Sequence, residues 1–168
     1  MGIAHFVQAA AILYLSQTVE LIKDFKFPLV THFLKWDVNL GYPMLDTQSR
    51  FDLPLAAAAS SFSFLSALFH GIVILNFDTY TANLRKGINK YRWFEYALSS
   101  SVMIALISML FGVYDIMNLI GIMAINASMN LFGLLFEVMN SNLREAGNDK
   151  VDWSAFIYGS FAGIMPWV

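Results

Sequence analysis

The chain has 168 residues, 58% hydrophobic and 13% charged, with a mean hydropathy of +0.58. Soluble domains of this size carry roughly 25% charged residues, so the composition excludes an ordinary water-soluble monomer and points to an integral membrane protein in contact with the lipid bilayer. The net charge of −2 excludes a nucleic-acid binder held by a strong basic field, and the lack of cysteine excludes disulfides, thiolate metal sites and cysteine nucleophiles.

Apolar runs of about 20 residues predict four full transmembrane helices and most of a fifth within one transmembrane domain, 1–168. The first covers 2–22 and is interrupted by His5 and Gln8. An outer loop, 23–53, follows, with extended stretches on either side of Gly41-Tyr42-Pro43 that predict a small β-hairpin. The second helix, 54–76, opens with the small residues Ala56–Ser61, which suit close helix packing. The third, 93–114, and the fourth, 117–138, join through Tyr114-Asp115 as an antiparallel pair. The fifth, 153–168, is still apolar at Trp167-Val168. Its length of about 16 residues rises about 24 Å against a hydrocarbon core of roughly 30 Å; a tilted or re-entrant helix is one reading, and the front part of a longer protein is the preferred expectation.

The basic residues set an orientation. Arg85, Lys86, Lys90, Arg92, Arg144 and Lys150 fall on the side of the N-terminus, whereas Lys23, Lys26, Lys35 and Arg50 share one Asp-containing loop opposite. The bias predicts a cytoplasmic N-terminus in a multi-pass protein of the cell membrane.

An ionisable side chain inside a span is costly and calls for a partner or a function. His5, His70 and Glu95 come from three helices and, counted at about 1.5 Å per residue, reach one depth in the leaflet on the N-terminal side. Arg92 and Glu95 can pair at i, i+3, which would keep the carboxylate ionised. Arg92, Glu95, Ser99, Met103 and Leu106 share a helix face, with Tyr96 and Ser100 beside it. That stripe suits either an interhelical seam of small serines or a buried cationic cofactor. Glu20, Asp115 and Glu137 read as interfacial, and Asn126 and Asn130 as interhelical hydrogen-bonding groups. Without a phosphate loop, a His-x-x-x-His pair or a Gly-x-Ser-x-Gly elbow, no enzyme is expected.

The segments Leu65–His70, Arg92–Ile104, Ile125–Met129, Ala162–Trp167 and Ala4–Gln8 resemble the helices of heliorhodopsins. The resemblance implies an all-α, microbial-rhodopsin-like seven-helix bundle, here truncated to four full helices and most of a fifth, with the β-hairpin in the first outer loop. It further implies a light-sensing membrane protein that binds all-trans retinal and forms a homodimer. Glu95 would be the counterion of the retinal Schiff base, with His5, His70 and Arg92 in a cytoplasmic polar cavity that relays a proton. Tyr96, Ser99, Ser100, Met103, Met129 and Gly133 would approach the chromophore. The chain departs from the family in one respect that matters most: it has no lysine in a span for retinal to attach to, its six lysines (Lys23, Lys26, Lys35, Lys86, Lys90 and Lys150) reading as loop residues. Two further departures are Ile157, where an aromatic wall is expected, and Leu106, where proton pumps keep a carboxylic donor. The alternatives are light-driven or light-gated proton or ion conduction by a relative, and a retinal-free membrane scaffold.

Overall fold

Helix α1, Gly2–Thr18, ends four residues before its apolar run does. Thr18 returns its hydroxyl to the Tyr14 carbonyl at 2.9 Å, and Val19, a β-branched residue, takes an extended conformation that interrupts the helical ladder. A single turn, α2 (Glu20–Lys23), follows. The expected 2–22 helix is thus divided in two. A computed structural model describes residues 1–167; the final residue of the expected 153–168 helix lies outside the described residues.

The outer loop is almost wholly a hairpin. Strand β1 (Lys26–Asp37) pairs antiparallel with β2 (Tyr42–Pro54), from Lys26 opposite Pro54 at the root to Asp37 opposite Tyr42 at the tip. Asp37 caps the turn by accepting the backbone N–H groups of Asn39 and Leu40. Near the root Phe27, Leu29 and Thr31 alternate inward, whereas the distal half is exposed on both faces.

Among the described residues three helices are long and apolar enough to cross a membrane: α3 (Leu55–Leu75), α5 (Lys90–Leu110) and α6 (Ile116–Glu145). Between α3 and α5 lies α4 (Phe77–Arg85), a nine-residue helix where the sequence predicted only a loop. The chain ends with α7 (Ser154–Ile164) and a 3-10 turn, Met165–Trp167. Among the described residues there are seven helical segments, but they are not seven spans. At 17 and 11 residues, α1 and α7 are shorter than the three spanning helices, and α2 and α4 are connectors.

The helices pack in chain order, α1 on α3, α3 on α5, α5 on α6 and α6 on α7. Serines make the close approaches possible: Ser60, Ser63 and Ser66 of α3 and Ser101 and Ser108 of α5 are buried. The hydroxyls of Ser60, Ser101 and Ser108 are satisfied by carbonyls of their own helices. A buried apolar cluster, Phe27, Leu29, Ala105, Met109 and Leu119, sits where the hairpin root meets α5 and α6. There Val30 donates its N–H to the Tyr114 carbonyl at 3.0 Å, and Asp115 caps α6 by accepting the Asn118 N–H at 2.9 Å. At the opposite end of α6, the Asn140 side chain exchanges two hydrogen bonds with the Asp152 backbone. The Ser154 hydroxyl and then its N–H hold the Asp152 carboxyl below the usual carboxylate range.

Candidate functional site

The polar groups gather at the end of the bundle that holds the N-terminus. The start of α1 runs against the end of α3 so closely that a Cβ on Gly2 would stand 2.8 Å from the Cβ of His70. One turn further on, the His5 and His70 rings face each other with centroids 5.4 Å apart. His70 Nδ1 lies 2.8 Å from the Ser66 carbonyl, a group that can only accept. That partner places the proton on Nδ1, so the neutral ring keeps its Nε2 lone pair free to accept another.

Beyond His70 opens a cleft of about 220 Å³, lined by Phe69 and Val73 of α3, Tyr80 of α4, and Asn89, Tyr91, Arg92 and Glu95 at the start of α5. Two predicted groups on two different helices, His70 and Glu95, thus line one space, with the His5 ring tilted against that of His70. The i, i+3 pairing expected between Arg92 and Glu95 is not formed. Arg92 reaches across to Glu137 of α6, whose other carboxylate oxygen accepts the Asn89 N–H at 2.7 Å. Asn89 in turn caps α5 by accepting the Arg92 N–H at 3.2 Å. The guanidinium also lies 4.8 Å from the centroid of the Trp93 ring. One carboxylate that accepts both an arginine and a backbone N–H offers Arg92 more than an isolated neighbour on its own helix surface. Glu137 is therefore the residue that sequence reasoning missed. Its signal was the length of α6, which runs to Glu145 and puts Glu137 two turns inside the helix rather than at its end. Among the described residues Glu95 forms no salt bridge.

The six residues expected around a chromophore separate into three groups. On α5, Ser100 donates to the Tyr96 carbonyl and accepts the side-chain amides of Asn126 at 2.7 Å and Asn130 at 3.1 Å. Tyr96 and Met103, at i−4 and i+3 from it, remain exposed. Ser99 is buried in the packing of the helices. Met129 and Gly133 line a separate cavity of about 220 Å³ with Trp93, Asn130, Phe156 and Gly159, between α5, α6 and α7. There the Trp93 ring lies across Gly133, in the space a methyl group would need, and its buried Nε1 has no partner. Gly133 accommodates a side chain of the protein itself.

Of the six lysines, Lys90 belongs to a helix long and apolar enough to cross a membrane, as its exposed first residue. Lys23 lies in α2, Lys26 and Lys35 on β1, Lys86 just after α4 and paired with Glu145 at 3.0 Å, Lys90 at the first position of α5, and Lys150 between α6 and α7. The reading of all six as loop residues is corrected in detail, since four of them belong to regular elements.

The family model described as Heliorhodopsin matches residues 1–168. No curated protein matches the chain.

Proposed function

The chain belongs to the heliorhodopsin family of rhodopsin-like membrane proteins, and from this premise we propose that it is the counterion-bearing portion of a light-sensing, retinal-binding protein. The observation that carries the reading is that His70 and Glu95 line one cleft, with the His5 ring beside His70 and with Arg92, at the edge of the same cleft, paired to Glu137. Retinal, when bound as a protonated Schiff base, supplies a buried cation and a light-driven change of shape; its lysine is none of the six in this sequence. Glu95 supplies the negative charge such a cation needs in a low-dielectric site. His70, with Nε2 unprotonated in the neutral ring, takes up a proton in the cleft, and His5 shares its environment. Tyr96, Ser100 and Met103 form one wall beside the polyene. Arg92 stays with Glu137 and leaves the Glu95 charge uncompensated by the resting chain. The same reading carries a cytoplasmic N-terminus and a homodimer, the latter checked by chemical crosslinking in native membranes.

One observation favours sensing over transmembrane conduction. His5, His70 and Glu95 lie at one end, and the other end is closed by the apolar cluster of Phe27, Leu29, Ala105, Met109 and Leu119. A proton crossing the whole bundle would have to traverse that cluster, where the buried carboxylate, Asp115, is engaged as the cap of α6.

The test is a pH titration of the visible band in a pigment formed by this chain with a lysine-bearing helical segment supplied in trans. Glu95→Gln is expected to bleach to an ultraviolet-absorbing form at mildly alkaline pH, where the parent stays coloured. His70→Ala is expected to keep the dark band and to change the lifetime of the deprotonated photoproduct. A Glu95→Gln pigment that titrates like the parent refutes the assignment of Glu95.

A further inference from the structure

The cleft has a cover that the proposed function does not use. Helix α4 joins α3 to α5 over the end of the bundle that holds His70 and Glu95, and Tyr80 from α4 lines the same cleft as those two groups. Its ring packs against Tyr91 of α5, centroids 6.0 Å apart and planes inclined at 58°. We propose that α4 is a lid on this cleft and that Tyr80, resting on Tyr91, is the side chain that closes it.

The two ends of α4 are held differently. After Arg85 the chain is pinned: the Lys86 carbonyl accepts the Ser141 hydroxyl at 3.0 Å and the Arg144 guanidinium at 3.1 Å, and the Lys86 ammonium pairs with Glu145. Before Phe77 the chain bends at Asn76, which leaves the helical region at φ −119°, ψ 34°. Between these points α4 buries no residue. A segment with so little buried area opens at far lower free energy than the bundle it covers, the property that lids require. The cleft has room for several waters, each taking roughly 30 Å³ of liquid volume. Opening would connect His70 and Glu95 to the medium on that side, and closure would isolate them. The lid thus deepens the reading of the cleft as a proton-holding site and rests on that reading for its consequence, although its geometry stands without it.

The chain contains no cysteine, so one introduced thiol reports access without background. Val73→Cys places a thiol in the cleft lining, and Val38→Cys places one on the hairpin, where the parent side chain is 86% exposed. Each is reacted with a small cationic methanethiosulfonate in lipid nanodiscs. The thiol at 73 is expected to react more slowly than the one at 38. Adding Tyr80→Ala is expected to accelerate position 73 about tenfold, the change that removing a lid contact would bring, and to leave position 38 unchanged. Tyr80→Phe, which keeps the ring, is expected to match the parent. An unchanged rate at 73 in Tyr80→Ala, or parent rates already equal at 73 and 38, overturns the lid. If Val73→Cys fails to fold, deuterium exchange at the imidazole C2 of His70 in the cysteine-free chain replaces it, with the exposed His32 as reference. Tyr80→Ala is then expected to speed His70 relative to His32, and no change overturns the proposal. Neither measurement involves retinal, so the lid can fail while Glu95 stands as counterion, and the reverse.

Discussion

Replacing Glu137 by Gln keeps the shape of the side chain and removes its charge from a largely shielded position, since that side chain is 16% exposed against 41% for Arg92. In the parent, Glu137 receives the guanidinium on one oxygen and the Asn89 N–H on the other. A hydrogen bond to a charged group contributes about 1.5–3 kcal/mol. The exposure of Arg92 brings the ion-pair part down toward the surface value of under about 1 kcal/mol. The amide retains a weaker bond to Asn89, so the expected loss is about 2 kcal/mol in all. For a chain of this length that corresponds to a fall in Tm of about 4–8 °C. Glu95→Gln removes no salt bridge of the described residues and is expected to change stability by under about 0.5 kcal/mol. Thermal melts in nanodiscs, followed by far-ultraviolet circular dichroism, would compare Glu137→Gln, Arg92→Gln, their double variant and Glu95→Gln. The double variant should cost about 1 kcal/mol less than the sum of the singles, because the second substitution finds its partner already gone. Additive losses, or a larger loss from Glu95→Gln than from Glu137→Gln, would mean that Arg92 does not hold Glu137 in the membrane.

Gly133→Ala drives a methyl group into the Trp93 ring and is expected to destabilise the α5–α6 contact by about 1–3 kcal/mol, with a red shift of tryptophan emission as the indole is displaced. An unchanged melting temperature and emission would show that the two helices are not this close. An epitope inserted at the hairpin tip, residues 38–41, is expected to be reached by antibody outside intact cells, because the basic residues at the other end favour the cytoplasm. Staining that needs permeabilised cells reverses the orientation.

The elements dominated by hydrophobic periodicity were legible without coordinates. The three long helices follow from uninterrupted apolar runs, and the hairpin from its extended stretches around Gly41. The departures come from local backbone chemistry and from contacts between distant segments. Thr18 and Val19 stop α1 within an apolar run that gives no warning, since a β-branched residue is tolerated in many spans. Helix α4 has too few apolar residues to announce itself, and its Tyr80 is recognisable as part of the site only once Tyr91 is beside it. That His70 and Glu95 line one cleft, with His5 beside His70, agrees with a count of residues from the helix ends, because rise per residue is fixed. The partner of Arg92 was not, because it depends on how far α6 continues past its apolar stretch and on the lateral approach of α5 to α6. The split of Met129 and Gly133 from Tyr96, Ser100 and Met103 has the same origin: periodicity gives the face of each helix, and only packing decides which cavity that face meets.

What distinguishes Glu95 from the other carboxylates near the spans is what each is already bonded to. Asp115 caps α6, Glu137 holds Arg92 and the Asn89 N–H, and Glu145 holds Lys86. Each of these charges is balanced within the chain, at a helix end or across a helix pair, and each fastens structure. Glu95 is half-buried, forms no salt bridge among the described residues, and faces a cleft where a free imidazole nitrogen and several waters can meet it. The nearest cation on its own helix, Arg92, could have neutralised it at i+3 spacing, yet Glu137 draws that guanidinium away. A carboxylate kept uncompensated at the edge of a membrane core is costly unless some other positive group arrives to complete it. On the proposed reading, Glu137 would act at a distance: by holding Arg92 it would keep Glu95 available for a cation that the described residues do not supply.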